Sequence, residues 1–385
     1  MTIRAPDVQT KPFPVPDDID TPSLVIDRDI LLSNIRELTT LCRAAGVEQF
    51  PHAKTHRTVE LGRLQVDNGA DGLTVATVEE ADAFVRGGIS RILIAYPLVG
   101  SIKVRRAFQL AQEAEVMLAA DSLEGARAIG RVFAEANQTA DLLLIVDSGM
   151  GRCGVAPGDV VAFATGMARE PGVTLRGLMT HEGSVYEASD ASDLVARSLA
   201  CATMMVQAAD AVRASGLPID VVSMGASASF RSVIGFPGVT QIRPGRYAFN
   251  DFGLIALGLA SLETCAVRVL ATVVSRADPQ RACIDAGSKS LSSDRLPSRL
   301  AQQFPGFGLI VDHPGWQIQR LSEEHGWLRW IGDSEPEPLQ IGQRVQVVPN
   351  HICTVFSSRG ESTLLQNGVA IAKWTTLARS TFGES

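Results

Sequence analysis

Lys54 lies in Pro51-His52-Ala53-Lys54-Thr55-His56, a short run that offers one primary amine and two imidazoles. If residues 49–54 form a strand, alternation turns His52 and Lys54 to one face, and His56 too if the strand continues. An amine held away from water loses proton affinity and becomes a nucleophile able to form an imine with an aldehyde. Two other readings stay open: an ion pair between Lys54 and a strand-end carboxylate, and metal ligation by His52 and His56 in a hydrolase. Further along, Asp147-Ser148-Gly149-Met150-Gly151-Arg152-Cys153-Gly154 presents Arg152 from a glycine-studded loop, where a guanidinium suits a carboxylate or a cofactor. Thr180-His181-Glu182-Gly183-Ser184-Val185-Tyr186 offers His181 to stack on, or hydrogen-bond to, a heteroaromatic ring, with Tyr186 as a further pocket candidate beside Tyr96.

An aldehyde partner for a lysine suggests pyridoxal 5'-phosphate (PLP), which also requires an anion cradle. Two segments offer one. Met224-Gly225-Ala226-Ser227-Ala228-Ser229 exposes backbone N–H groups and two hydroxyls, with Gly225, Ala226 and Ser227 as the candidate contacts. Arg243-Pro244-Gly245-Arg246-Tyr247 combines close backbone approach at Gly245 with the Arg246 guanidinium and the Tyr247 phenol. Separately, Pro349-Asn350-His351-Ile352-Cys353 has an H-x-C spacing that on a strand would aim His351 and Cys353 to one face. An imidazole and a thiolate so placed suit Zn²⁺ and leave coordination positions open, although a buried cysteine beside a turn histidine has the same spacing. The polar stretch 285–294, DAGSKSLSSD, reads as an active-site lid or a solvated turn.

These residues need a scaffold that gathers them. From about residue 24 to 244 short β-branched runs alternate with amphipathic stretches, the pattern of repeated βα units around a parallel sheet. Candidate strands cover 49–54, 72–76, 91–95, 114–119, 142–147, 175–180, 220–223 and 240–243, the eight that close a (β/α)8 barrel, whose chemistry gathers at the strands' C-terminal ends. Helical periodicity covers 30–45, 58–68, 78–87, 103–113, 122–136 and 193–215. After about residue 252 short strands (265–274, 281–285, 308–311, 344–348, 363–366) are separated by Gly, Pro, Asn and Asp turns, the texture of a β domain. The expected division is therefore an N-terminal segment 1–27 joining the β domain, a barrel over 28–252 and a C-terminal β domain over 253–385.

Composition narrows the partners. With 385 residues, 45% hydrophobic and 20% charged, the chain can bury a full core. A net charge of −7, with acids and bases interspersed, gives no basic surface for nucleic acid or anionic lipid, so a small molecule is the expected partner. Apolar runs such as 142–146 are strand-sized, and the N-terminus lacks a secretory apolar core, so neither a membrane span nor export is expected. Six scattered cysteines without CxxC pairs fit the reducing cytoplasm.

Taken in order, DTPSLVIDRD near residue 20, PHAKTH at 51–56, GMGRCGV at 149–155, GLMTHEGSVY at 177–186, PGRYAFND at 244–251, DAGSKSLSSD at 285–294 and PNHICTV at 349–355 resemble the D-threonine aldolase and D-serine dehydratase family of fold-type III PLP enzymes. The resemblance covers about residues 20–355. It implies an alanine-racemase-like barrel with a C-terminal β domain, PLP carried on Lys54, phosphate held by the 225–229 loop, and a divalent metal (Zn or Mn, possibly Mg) on His351 and Cys353. It also implies a small-molecule substrate, a D-β-hydroxy-α-amino acid, and a homodimer. The reaction it implies first is metal-assisted retro-aldol cleavage to glycine and an aldehyde, with Lys54, His52, His181 and His351 as the catalytic candidates. Dehydration of D-serine or D-3-hydroxyaspartate to a keto acid and ammonia is the alternative; a PLP racemase or a non-catalytic PLP-binding protein stand further off. The chain departs from the family pattern at His181-Glu182, where Tyr-His or His-Ala is usual, and in a phosphate loop poorer in glycine. Cys353 matches the dehydratase-like members, whereas many aldolases have Asp there; the 285–294 stretch, in contrast, resembles the bacterial aldolase-type members.

Overall fold

The computed structural model describes residues 12–311 and 313–377; positions 1–11 of the N-terminal segment and 378–385 of the C-terminal domain lie outside the described residues. The described residues divide into two compact units, one of residues 36–54 and 59–245, the other falling within 12–35, 55–58 and 246–377.

In the first unit eight parallel strands, Glu48–Gln49, Leu73–Val75, Arg91–Pro97, Glu115–Ala120, Ala140–Ile145, Val173–Met179, Val221–Met224 and Gln241–Ile242, form one sheet. Its first strand pairs with its last, Glu48 opposite Gln241. A bridge between His52 and Thr74, with Thr74 N–H donating to the Pro51 carbonyl at 2.9 Å, joins the first to the second and closes the barrel. Leu93, Ala119, Leu143, Ile145 and Met179 from four of these strands, with Phe50 just after the first, form a buried cluster, the packed core that keeps such a barrel from being a pore. The surrounding helices begin where side chains can accept the free N–H groups of their first turns. Thr77 caps Val78–Arg86, Ser122 caps Leu123–Glu135 and Asp190 caps Ala191–Ala214. The helix Val160–Ala168 has no counterpart among the expected helices: VVAFATGMA is apolar nearly all round and shows no 3.6-residue alternation.

The second unit is built on a mostly antiparallel nine-stranded sheet. Ser23–Asp27 lies inside it, antiparallel to Val267–Asp278 (Ser23 opposite Leu270) and parallel to Glu361–Gln366 (Val25 opposite Thr363). Val267–Asp278, Arg281–Ile284, Gly326–Trp330, Trp316–Leu321, Leu309–Ile310 and Arg344–Val348 pair successively and return to Val267–Asp278, a closed ring. Closure removes the open edges that antiparallel sheets otherwise expose. Three strands were not expected, Trp316–Leu321, Gly326–Trp330 and Val369–Thr375. Arginine and glutamine interrupt the first two, which are held by the T-shaped Trp316–Trp330 contact (centroids 5.7 Å apart), and the third is a largely exposed edge.

Candidate active site

A cavity of about 600 Å³ opens in the barrel unit, and its wall includes Lys54, His52, Arg152, His181 and Arg243. Lys54 reaches it in a way that differs from the expected strand alternation. The regular strand ends at Gln49, its pairing persists through Phe50 and His52, whose N–H groups donate to the Ile242 and Pro244 carbonyls, and Ala53–Thr55 then forms a single 3₁₀ turn. His52 and Lys54 share the cavity all the same. His56 does not join them: it is fully buried in the other unit, where its Nδ1 accepts from Thr58 N–H at 3.0 Å and its ring lies 5.8 Å from Phe249. Metal ligation by the His52 and His56 pair therefore finds no support in the geometry.

The lining is cationic. Lys54, Lys103, Arg152 and Arg243 face it against one carboxylate, Asp147. That carboxylate already accepts from the N–H groups of Gly149 (3.0 Å), Met150 (2.9 Å) and Gly151 (3.0 Å), which shapes the loop that carries Arg152. Burial is the first reason both histidines stay neutral. It pushes His52 well below the ordinary imidazole range, with Lys54 and Arg243 adding to the effect. It also pulls His181 down to about 4, where Glu182 works against the shift and Lys54 and Arg152 support it. Two buried polar atoms of the wall residues lack a partner, His52 Nδ1 and Arg243 Nε. A lysine, an excess of positive charge and unpartnered nitrogens fit an anionic, aldehyde-bearing heterocycle such as PLP.

The loop after Val221–Met224 is arranged differently from the expected phosphate cradle. Gly225 N–H and Ala226 N–H donate to the two oxygens of Glu182, at 3.0 and 3.2 Å, and the Ser229 hydroxyl donates to the same carboxylate. Those two N–H groups thus already hold an anion supplied by the chain. Gly245 N–H donates to Ser227 Oγ at 3.1 Å, and both residues lie outside the described cavity lining. Arg246 and Tyr247 fall in the other compact unit. There Arg246 Nη1 contacts both oxygens of fully buried Asp251 at 2.9 Å, an internal ion pair. Tyr247 is buried, and Tyr186 sits half-buried on the turn Gly183–Glu187, outside the described cavity lining.

In the β unit, His351 and Cys353 are not on a strand. His351 is the N-cap of the helix Ile352–Arg359 and Cys353 lies in its first turn, because Ile352 N–H donates to Asp251 Oδ2 at 3.2 Å and turns the chain after Arg344–Val348. The two side chains still pair. His351 Nδ1 lies 2.8 Å from Asp294 Oδ2, and since a carboxylate only accepts, Nδ1 carries the proton and Nε2 is left as the second nitrogen. Burial alone would lower the His351 pKa, but Asp294 and the Cys353 sulfur outweigh it and hold the imidazole up to about 10. Burial likewise opposes ionisation of Cys353, and His351 nevertheless brings its thiol below the ordinary value. Thr55 Oγ1 lies 3.3 Å from the sulfur. A cysteine sulfur beside a histidine whose Nδ1 is fixed by a carboxylate is the donor set of a zinc-type site, in which the metal takes the place of the Nε2 and thiol protons. Among the described residues no group of three His, Cys, Asp or Glu side chains forms a ready-made metal cage, so two protein donors would leave positions for water or substrate.

Four residues with clear parts in this geometry were not assigned a role from sequence: Glu182, Arg243, Asp251 and Asp294. Each stands inside or beside a motif singled out there, yet only the fold shows what each carboxylate or guanidinium meets. The 285–294 stretch is more than a solvated turn: it contains the short helix Ser288–Leu291 and ends on the aspartate that meets His351 Nδ1.

Comparison with known proteins adds an independent line. Residues 26–251 match the family described as "Alanine racemase, N-terminal domain", and residues 266–363 match a serine dehydratase domain. The chain is 34% identical over 348 residues to the D-threo-3-hydroxyaspartate dehydratase of Delftia sp. (strain HT23), covering 87% of this chain and 91% of that protein. A solved structure of a D-threo-3-hydroxyaspartate dehydratase mutant in the metal-free form superposes with a TM-score of 0.86 at 31% identity, over 94% of this chain and 98% of that one. The D-threonine aldolase of Arthrobacter sp is 30% identical over 367 residues, 94% of this chain and 93% of that protein. The crystal structure of D-threonine aldolase from Filomicrobium marinum matches with a TM-score of 0.86 at 28% identity, covering 95% of this chain and 97% of that one.

Proposed function

The chain belongs to the family of D-threonine aldolases and D-serine dehydratases built on an alanine racemase N-terminal domain, and from that premise we propose that it is a PLP- and divalent-metal-dependent lyase acting on D-β-hydroxy-α-amino acids. PLP, when bound, supplies an electron sink for bonds broken at the substrate's α-carbon, and the metal supplies positive charge at its β-oxygen. Lys54 is the residue that would carry the cofactor, with Arg152, His181 and Arg243 around it and Ser227 and Gly245 as phosphate donors; His351 and Cys353 would hold the metal. The observation that carries the reading is Lys54 set in a cationic cavity with unpartnered buried nitrogens on its wall.

Of the two lyase chemistries, we put elimination of water first. Support comes from the donor that pairs with His351, the sulfur of Cys353 rather than a carboxylate, which matches dehydratase-like members of the family. In that reaction Lys54 Nζ takes the α-proton, the β-oxygen leaves as water, and hydrolysis gives a keto acid and ammonia. The neutral imidazoles of His52 and His181 keep additional charge from the base, and Arg152 is free to orient a carboxylate. Retro-aldol cleavage to glycine and an aldehyde is the second reading, favoured by the match to two D-threonine aldolases over nearly the whole chain. Cytoplasmic residence accords with six cysteines that are all free thiols.

Purified protein incubated with D-serine, D-threonine and D-threo-3-hydroxyaspartate should release keto acid and ammonia; release of glycine and aldehyde instead would move the assignment to the aldolase. A visible absorbance band that Lys54→Ala abolishes, and loss of turnover with EDTA, are expected alongside. No turnover of any of the three, with PLP and Zn²⁺ or Mn²⁺ supplied, would overturn the class.

A further inference from the structure

Glu182 is a fully buried carboxylate with no assigned part in the chemistry. A buried anion is costly unless several donors meet it. Here they come from one loop: Gly225 N–H, Ala226 N–H and the Ser229 hydroxyl. Held in this way, Gly225 turns its carbonyl to His181 Nδ1, 2.6 Å distant. A carbonyl can only accept, so His181 carries its proton on Nδ1 and keeps a lone pair on Nε2. The same glycine abuts the next strand's arginine, since a Cβ at position 225 would lie 2.5 Å from Arg243 Nη2. Arg243 is itself buried, donates to the Thr180 carbonyl and to Ser223 Oγ, and has Glu182 as the carboxylate that favours its charge. One acidic side chain thus governs a loop, the tautomer of one cavity residue and the setting of another.

We propose that Glu182 is a positioning residue of the barrel site: its carboxylate acts as a built-in anion that locks the 225–229 loop and, through Gly225, fixes His181 as an Nε2 acceptor and Arg243 against the loop, in readiness for PLP. The inference rests on the PLP reading above for its cofactor arm only. It also assigns different duties to neighbouring donors: Gly225 and Ala226 N–H serve the internal carboxylate, and Ser227 with Gly245 serves the phosphate.

The test uses the full chain labelled with ¹⁵N-histidine, a tractable probe because the sequence has six histidines, with His181 assigned by its loss in His181→Gln. Wild-type apoprotein should show His181 protonated on Nδ1 alone. Glu182→Gln puts an NH₂ group against backbone donors, so His181 should become a mixture of tautomers and the Kd for PLP, read by absorbance titration, should rise on the order of tenfold or more. A folded Glu182→Gln protein that keeps the Nδ1–H tautomer, or shifts only one of the two signals, overturns the proposal, because a merely structural carboxylate would lower stability and leave His181 alone. If that variant does not fold, Ser229→Ala removes one donor and spares the carboxylate; both signals should move the same way by smaller amounts, and no movement overturns the proposal. Wild-type protein that binds no PLP would sink the cofactor reading separately, and the tautomer then decides alone whether Glu182 fixes His181.

Discussion

At the scale of single residues, the barrel site depends on imidazoles kept neutral in a cationic wall. A histidine in the unfolded chain takes up its proton near pH ~6.5. In the folded protein burial first, then Lys54 and Arg152, against the opposing Glu182, hold His181 down to about 4. Between these values the unfolded state binds more protons than the folded one, so stability falls as pH drops from neutral toward 4 and levels off below it, at most ~1.4 kcal/mol per pH unit for one proton. His181→Gln should therefore flatten the decline of Tm with acidification over that window, leaving the share due to His52. An acid limb as steep in the variant as in wild type would show that His181 titrates normally.

At the scale of elements, the pairing of His351 and Cys353 depends on a helix start that Asp251 enforces. Its carboxylate is fully buried, pairs with Arg246, accepts from Leu254 N–H at 3.0 Å to cap Phe252–Ala256, and accepts from Ile352 N–H to begin Ile352–Arg359. Asp251→Ala removes a cap and the carboxylate that faces the Arg246 guanidinium, and breaking such a pair typically costs ~3–5 kcal/mol. We expect a loss of that order in urea unfolding together with a fall in bound metal by elemental analysis, and a milder effect for Asp251→Asn, whose amide oxygen can still cap. Wild-type metal content in Asp251→Ala would mean that the helix start does not depend on this carboxylate.

At the scale of the whole molecule, the two candidate ligand sites belong to different compact units, Lys54 to the barrel and His351 with Cys353 to the β unit. A ligand that binds only folded protein stabilises it by ~2.7 kcal/mol at a hundred times its Kd. PLP should accordingly raise the Tm of wild type and of Cys353→Ala but not of Lys54→Ala, and Zn²⁺ or Mn²⁺ should raise that of Lys54→Ala but not of Cys353→Ala. Persistence of the metal shift in both Cys353→Ala and His351→Ala would place the ion elsewhere. Among the described residues no helix is long and apolar enough to cross a membrane.

Periodicity alone made the barrel readable, because strands buried on both faces are continuous β-branched runs and capped helices between them repeat every 3.6 residues. The family resemblance of the ordered motifs brought Lys54, Arg152, His181, His351 and Cys353 forward as one set. Local conformation at the site was beyond it: a 3₁₀ turn replaces the expected strand at Lys54, and a buried aspartate far back in the chain meets the N–H that opens a helix over the H-x-C motif. The partners of Glu182, Arg243 and Asp294 are decided only by which loops the closed barrel and the β ring bring together, since a carboxylate's role depends on the donors it meets and these come from distant positions in the chain.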